Sequence, residues 1–273
     1  MTTRREFLSA SLQLVALAGS SSPVFAARTA GVAATDLAPG LSLLSGAGGN
    51  VVALKGTGGS LLVDGGDAKH SKALLKAAAS ATGNRRVATL INTHWHPAQT
   101  GSNEAVGKDG AQIIAHEVTR RYLARAVPSV DYEGLYGPLL PAGRPTQTTR
   151  TRGALEFGGQ SVSYGYLPAA HTNGDLYIHF AGLDVLVAGG PVASESWPLL
   201  DWRNGAWLGG LVKAHETLAA LVKPATRVIP ASGRPLTGDQ LRRQHDLFAA
   251  FHEKMVGFQN KGMDSGDILA ERP

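Results

Sequence analysis

Short apolar runs that meet histidine-bearing loops limit the architecture of this chain more than any other feature. VATLIN (87–92) runs into THWHPAQTGSN (93–103), and PAAHTNG (168–174) leads into DLYIHFA (175–181). A third run, TRVIP (226–230), ends in ASG (231–233). Apolar stretches of this length, bounded by turn residues, read as buried strands. Loops at strand ends collect along one edge of a layered sheet, so segments far apart in sequence can share a site there.

The rest of the chain fits a layered pattern. The runs LSLLS (41–45), NVVALKG (50–56) and GSLLVDGG (59–66) are separated by glycine clusters and read as a meander of hairpins. Residues 68–82 have helical composition and precede the strand 87–92. A helical turn over 103–106, a strand over 111–115 and a helix over 116–126 follow. The Pro- and Gly-rich stretch 127–149 is the least regular part of the chain after its leader. Strands resume over 154–167, 175–181 and 184–189. A helix over 206–221, the strand 226–230 and a long helix from 238 to about 259 complete the pattern. The order strands, helix, strand, helix occurs in each half, so the predicted fold is α/β: two packed sheets with helices outside.

Cysteine is absent, which removes thiolate catalysis, disulfides and sulfur ligands. A metal must then be held by His, Asp, Glu or weaker oxygen donors, and His94-x-His96 is the natural opening of such a site. The net charge of +5 is spread without a basic run, which argues against a nucleic-acid partner.

Residues 1–27 read as an export signal. Arg4-Arg5 precede Phe7-Leu8, a mildly apolar stretch follows, and VFA (24–26) is a small-residue cleavage pattern. The order Thr-Arg-Arg-Glu-Phe-Leu resembles a twin-arginine signal, which implies a periplasmic protein. The apolar run is too short for a stable membrane span. Residues 28–40 are expected to be a flexible segment, and 41–273 a single domain.

Taken in order, LLVDGG (61–66), THWHPAQTGSN, HEVTRRYL (116–123), AAHTNGDL (169–176), LDWRNG (200–205) and VIPASG (228–233) resemble the metallo-β-lactamase superfamily over nearly all of that domain. The tail GMDSGDILAERP (262–273) resembles its periplasmic branch related to quinoprotein relay systems. The resemblance implies an αββα sandwich and a zinc site formed by His94, His96 and His171. It also implies that a second zinc is lost. The family's ligands for that ion fall at Ala98, Gln99 and Ser232, and its bridging aspartate at Gly190, none of which is a good zinc ligand. One zinc ion with an open fourth position is therefore expected, against the alternative of an empty histidine cluster.

Supporting roles stay open at several positions. Asp64 is either a brace for the metal loop or a strand-end turn residue, and Asp175 takes a structural role near His171. Trp197 and Trp202 either line a cleft or pack a loop against the core. His116, at the start of a helix, reads as a surface or capping residue, and His179, His215, His245 and His252, on periodic elements, read as structural. Ser194 and Ser232 lie in no Gly-x-Ser-x-Gly elbow. Two functions follow with nearly equal weight. One is an impaired single-zinc hydrolase of a small ester, lactone, thioester or amide. The other is a catalytically inactive relative that binds a ligand or a periplasmic protein partner.

Overall fold

The computed structural model describes residues 31–130 and 133–271. The export-signal stretch 1–27 lies outside the described residues. Among the described residues no helix is long and apolar enough to cross a membrane.

The first sheet begins as a meander. Strands β1 (Ala33–Ala38), β2 (Leu41–Ser45), β3 (Val51–Lys55) and β4 (Ser60–Val63) pair antiparallel in succession. Ala33–Ala38 lies inside the segment expected to be flexible. It is held at the sheet edge by pairing with β2 through a turn at Gly40, whose φ of 73 suits glycine. Helix α1 (Ser71–Thr82) buries Leu74, Ala78 and Thr82 at helical spacing. It stops at Gly83, whose left-handed backbone lets its N–H reach Ala79 O. The chain then returns as β5 (Val87–Ile91), parallel to β4.

Two short helices, α2 (Pro97–Thr100) and α3 (Asn103–Lys108), lead to β6 (Gln112–His116), parallel to β5. Helix α4 (Glu117–Leu123) is shorter than the expected 116–126. His116 is its N-cap and accepts from the Val118 N–H. The irregular stretch carries the ribbon of β7 (Val127–Pro128) and β8 (Leu135–Tyr136), then β9 (Gln147–Thr149), which closes the first sheet beside β6.

The second sheet has the order β10 (Arg152–Phe157), β11 (Gln160–Leu167), β12 (Asp175–Phe180), β13 (Val185–Gly189), β14 (Arg227–Pro230), β15 (Leu236–Thr237). The run expected as one strand over 154–167 is a hairpin. Gly158 and Gly159 both have positive φ, the backbone that a tight two-residue turn needs between Phe157 and Gln160. Helix α5 (Leu208–Ala219) crosses between β13 and β14, and α6 (Gly238–Asn260) follows β15 behind a Thr237–Gln240 capping box.

The strands alternate their side chains between two kinds of core. Leu61, Val63 and Ile91 of the first sheet meet Ile178, Phe180, Val187 and Ile229 of the second. On the outer faces, Leu62 and Leu90 pack under α1, while Leu186 and Val228 pack under α5. The strands are thus apolar on both faces, as in covered parallel sheets. The layers run helix, sheet, sheet, helix, the αββα sandwich. Strands β4, β5, β13 and β14 end along one edge, and their terminal loops build the site.

Candidate metal centre

Two loops deliver three imidazoles. His94 and His96 follow the end of β5 on the approach to α2, and His171 precedes β12. All three are buried, and their ligand atoms lie within 4.8 Å of one another. The ring centroids stand 4.6 to 4.8 Å apart, each pair nearly perpendicular at 84°. Trp95, between the first two, turns away into a small core with Tyr122, Leu123 and Val127.

Each ring is anchored by its other nitrogen. His171 Nδ1 lies 2.6 Å from Leu199 O, a carbonyl that can only accept, so Nδ1 carries the proton and Nε2 presents a lone pair. His96 Nε2 lies 2.9 Å from Asp201 Oδ2. Burial raises the Asp201 pKa, but hydrogen bonds from His96, Asn204 and Ser129 and the charge of His96 outweigh it and hold the carboxyl below its usual range. An ionised Asp201 places the proton on His96 Nε2 and leaves a lone pair on Nδ1. Those two lone pairs, His96 Nδ1 and His171 Nε2, face each other across 3.0 Å.

Two lone pairs at this separation require a positive centre, either a shared proton or a metal ion. A tetrahedral zinc with nitrogens at about 2.0–2.1 Å sets neighbouring ligand atoms roughly 3.3 Å apart, close to the 3.0 Å between this pair. His94 Nδ1 meets Thr93 Oγ1 at 2.9 Å, and that hydroxyl donates to Asp64 Oδ2 at 2.8 Å, so the hydroxyl oxygen accepts from Nδ1–H and His94 also turns Nε2 to the cluster. Burial, then the neighbouring His171 and His96 rings, hold the His94 pKa well below the ordinary histidine value, which keeps it a neutral donor. The residues present fit a metal ion.

The supporting carboxylates act on backbone as well as side chains. Asp64 accepts the Thr93 N–H at 2.7 Å, which makes it a brace of the metal loop. Its own backbone is left-handed, with φ of 66. Burial pushes its pKa to about 8 against those hydrogen bonds. Asp175 accepts from the N–H groups of His171 and Thr172 and from the Thr172 hydroxyl, at 2.7 to 2.8 Å. It fixes the turn that carries His171, and burial raises its pKa to about 7.

A cavity of about 290 Å³ opens over the cluster, lined by the three histidines, Ala98, Gln99, Gly190 and Ser232 among others. The positions expected to have lost a second metal therefore do converge. At Gly190 an added Cβ would overlap the His171 ring, so that ring fills the space a side chain there would need. No lining residue is Asp or Glu. Trp197 lines the cavity and leans on Phe248 and Phe251 of α6. Trp202 does not line it: it is 66% exposed, with Arg203 over its ring, which corrects the cleft-lining expectation. The exposed 3-10 turn of 202–204 puts its indole outward, while the neighbouring Asp201 is buried.

Sequence reading missed Asp201, Ser129 and the Leu199 carbonyl. Asp201 lies within LDWRNG, a stretch noticed only as a whole. His116 is buried rather than surface-exposed, and its ring stacks on Tyr166 at 4.1 Å.

The metallo-beta-lactamase superfamily model matches residues 44–251. Among solved structures, a metallo-beta-lactamase from Pontibacter korlensis superposes with a TM-score of 0.65 and 19% identity, covering 80% of this chain and 99% of that one. The metallo-beta-lactamase DIM-1 gives a TM-score of 0.64 and 15% identity, over 81% and 98% of the respective chains. No curated protein matches. With its fold, its histidine cluster and the family match in agreement, the chain belongs to the metallo-beta-lactamase superfamily.

Proposed function

We propose that this protein is an exported hydrolase that holds one zinc ion at His94, His96 and His171 and cleaves a small ester, lactone, thioester or amide. The observation that carries the reading is the buried cluster of three histidines, in which His96 Nδ1 and His171 Nε2 approach to 3.0 Å. A zinc ion held there supplies Lewis acidity to water or to a carbonyl oxygen. The chain's own groups supply orientation. Asp201, Leu199 O and Thr93 hold the three rings, and Trp197 and Leu199 line the cavity over them. The twin-arginine-like leader supports export to the periplasm.

A second reading has a specific basis. The cavity lining contains no carboxylate to accept a proton, and Gly190 has no room for a metal-bridging side chain. A protein with that lining can bind a ligand or a periplasmic protein partner without turning it over.

Elemental analysis of protein purified without added zinc or chelator, beside His171→Ala, separates the two. Near-stoichiometric zinc, absent from the variant, supports the hydrolase and is followed by an ester and lactone screen. No bound zinc even after supplementation ends the hydrolase reading.

A further inference from the structure

A separate cavity lies against α4. It measures about 530 Å³, is lined by Val118, Arg121, Tyr122, Ala124, Arg125 and Asn173, and shares no residue with the cavity over the histidines. The loop that brings Asn173 to the helix is held at three points. Thr119 of α4 donates to Gly174 O at 3.1 Å. The Asn173 N–H donates to Asn204 O at 3.1 Å, and the Asn173 carbonyl accepts from the Tyr166 hydroxyl at 3.2 Å.

The charge on this cavity is unbalanced. Arg121 and Arg125 stand four positions apart, and both are exposed and line it. Like charges at that spacing repel. Glu117, the one carboxylate of α4, is engaged by Arg150. Among the described residues no Asp or Glu pairs with Arg121 or Arg125, and no oxygen accepts from either guanidinium. The Arg125 guanidinium lies over the buried Tyr122 ring, 5.3 Å from its centroid. A ring face attracts the cation but gives its N–H groups no oxygen acceptor.

The helix end accounts for only one of the two. Arg121 lies in the last turn of α4, where a positive charge complements the free carbonyls, whereas Arg125 stands beyond the C-cap Ala124. Asn173 adds a neutral donor. Its Oδ1 is buried without a hydrogen-bond partner, so Nδ2 is the polar side-chain atom left to the cavity.

An oxyanion answers this set of donors. A carboxylate or phosphate accepts two parallel N–H bonds from one guanidinium, and two guanidinia match two negative charges. No Asp or Glu lines the cavity to repel such a ligand.

We propose that this cavity binds a small dianion, a phosphate or a dicarboxylate, through Arg121, Arg125 and Asn173. The Tyr122 ring lies 5.3 Å from that of Trp95, between His94 and His96, and Asn173 is two positions from His171. The bound anion therefore neighbours both metal-bearing loops without entering the histidine cavity. The site does not depend on the hydrolase reading.

The test is calorimetric titration of the full-length protein with inorganic phosphate and, separately, with succinate, at constant ionic strength. Binding of at least one of them is expected, weakened roughly tenfold or more by Arg121→Gln together with Arg125→Gln. The tighter of the two probes identifies the ligand as a compact oxyanion or as a pair of spaced carboxylates. Arg85→Gln together with Arg86→Gln removes the same charge from another exposed pair and is expected to leave the affinity unchanged. Unchanged affinity in the Arg121 and Arg125 variant would place the anion on zinc or elsewhere and overturn the proposal. Equal weakening in the two double variants would reduce the effect to general attraction and overturn it too. So would the failure of both anions to bind.

Discussion

His96 Nε2 and Asp201 Oδ2 lie 2.9 Å apart across 105 positions of sequence, both side chains almost wholly buried. Ser129 Oγ and Asn204 Nδ2 donate to the same carboxylate oxygen, at 3.1 and 2.8 Å. The carboxylate therefore selects the tautomer of His96 and is itself held in position by two neutral donors. Asp201→Asn keeps the shape but removes the charge that favours a proton on Nε2. Zinc affinity is expected to fall roughly tenfold to a hundredfold, read by competition with a chromophoric chelator. Undiminished affinity would show that His96 is oriented by its packing alone.

Gly190 decides whether an acid can be placed beside the histidine cluster by mutation. Restoring an acid as Gly190→Asp drives a Cβ into the His171 ring. The expected result is loss of zinc from the histidine cluster and a lower melting temperature, measured by elemental analysis and thermal unfolding. Two zinc ions per chain in this variant would show that His171 can swing aside.

The buried His215 gives the protein an acid-sensitive helix interface. It lies between α5 and α6, its Nδ1 3.1 Å from Leu211 O and its ring edge-on to Phe248. Burial lowers its pKa from 6.5 to about 4. Between those values the unfolded chain takes up a proton that the folded chain refuses, so stability rises with pH across the window and is lost as pH falls. The contribution is on the order of 3 kcal/mol at its full extent. Asp64 and Asp175, with raised pKa values, act in the opposite sense but equally in a His215→Gln variant. Denaturant unfolding of both proteins should show the unaltered protein losing stability relative to the variant from pH 6.5 down to 4. A constant difference would contradict burial of a neutral ring.

Gly101, between α2 and α3, is a packing requirement behind the metal loop. Its N–H donates to Gly66 O at 2.8 Å, and an added Cβ would overlap the backbone of Asp67 and Ala68. Backbone cannot rotate away as a side chain can. Gly101→Ala should therefore destabilise by about 1–3 kcal/mol, seen as a lower melting temperature, with zinc binding weakened as the loop shifts. A melting temperature equal to that of the parent would mean that the two loops separate easily.

The layers and the first two histidines of the cluster were legible in the sequence because their signals are local, whereas His171 joined them only through the family resemblance. Apolar runs such as LLVDGG and VATLIN state their own burial, and His94-x-His96 states its chemistry by spacing, since both rely on neighbours along the chain. The hairpin at Gly158–Gly159 and the edge strand Ala33–Ala38 were harder. Each is defined by pairing with a partner strand, which no single segment reports. Asp201 was illegible for the stronger reason that an aspartate in a turn has many uses, and only the meeting of the 92–103, 127–130 and 199–204 segments gives it His96, Ser129 and Asn204 as partners. Residue order alone states which donors exist and which are missing. Tertiary structure alone decided which ring nitrogens face each other and that Gly190 is closed, because direction and free volume arise only once distant segments share one space.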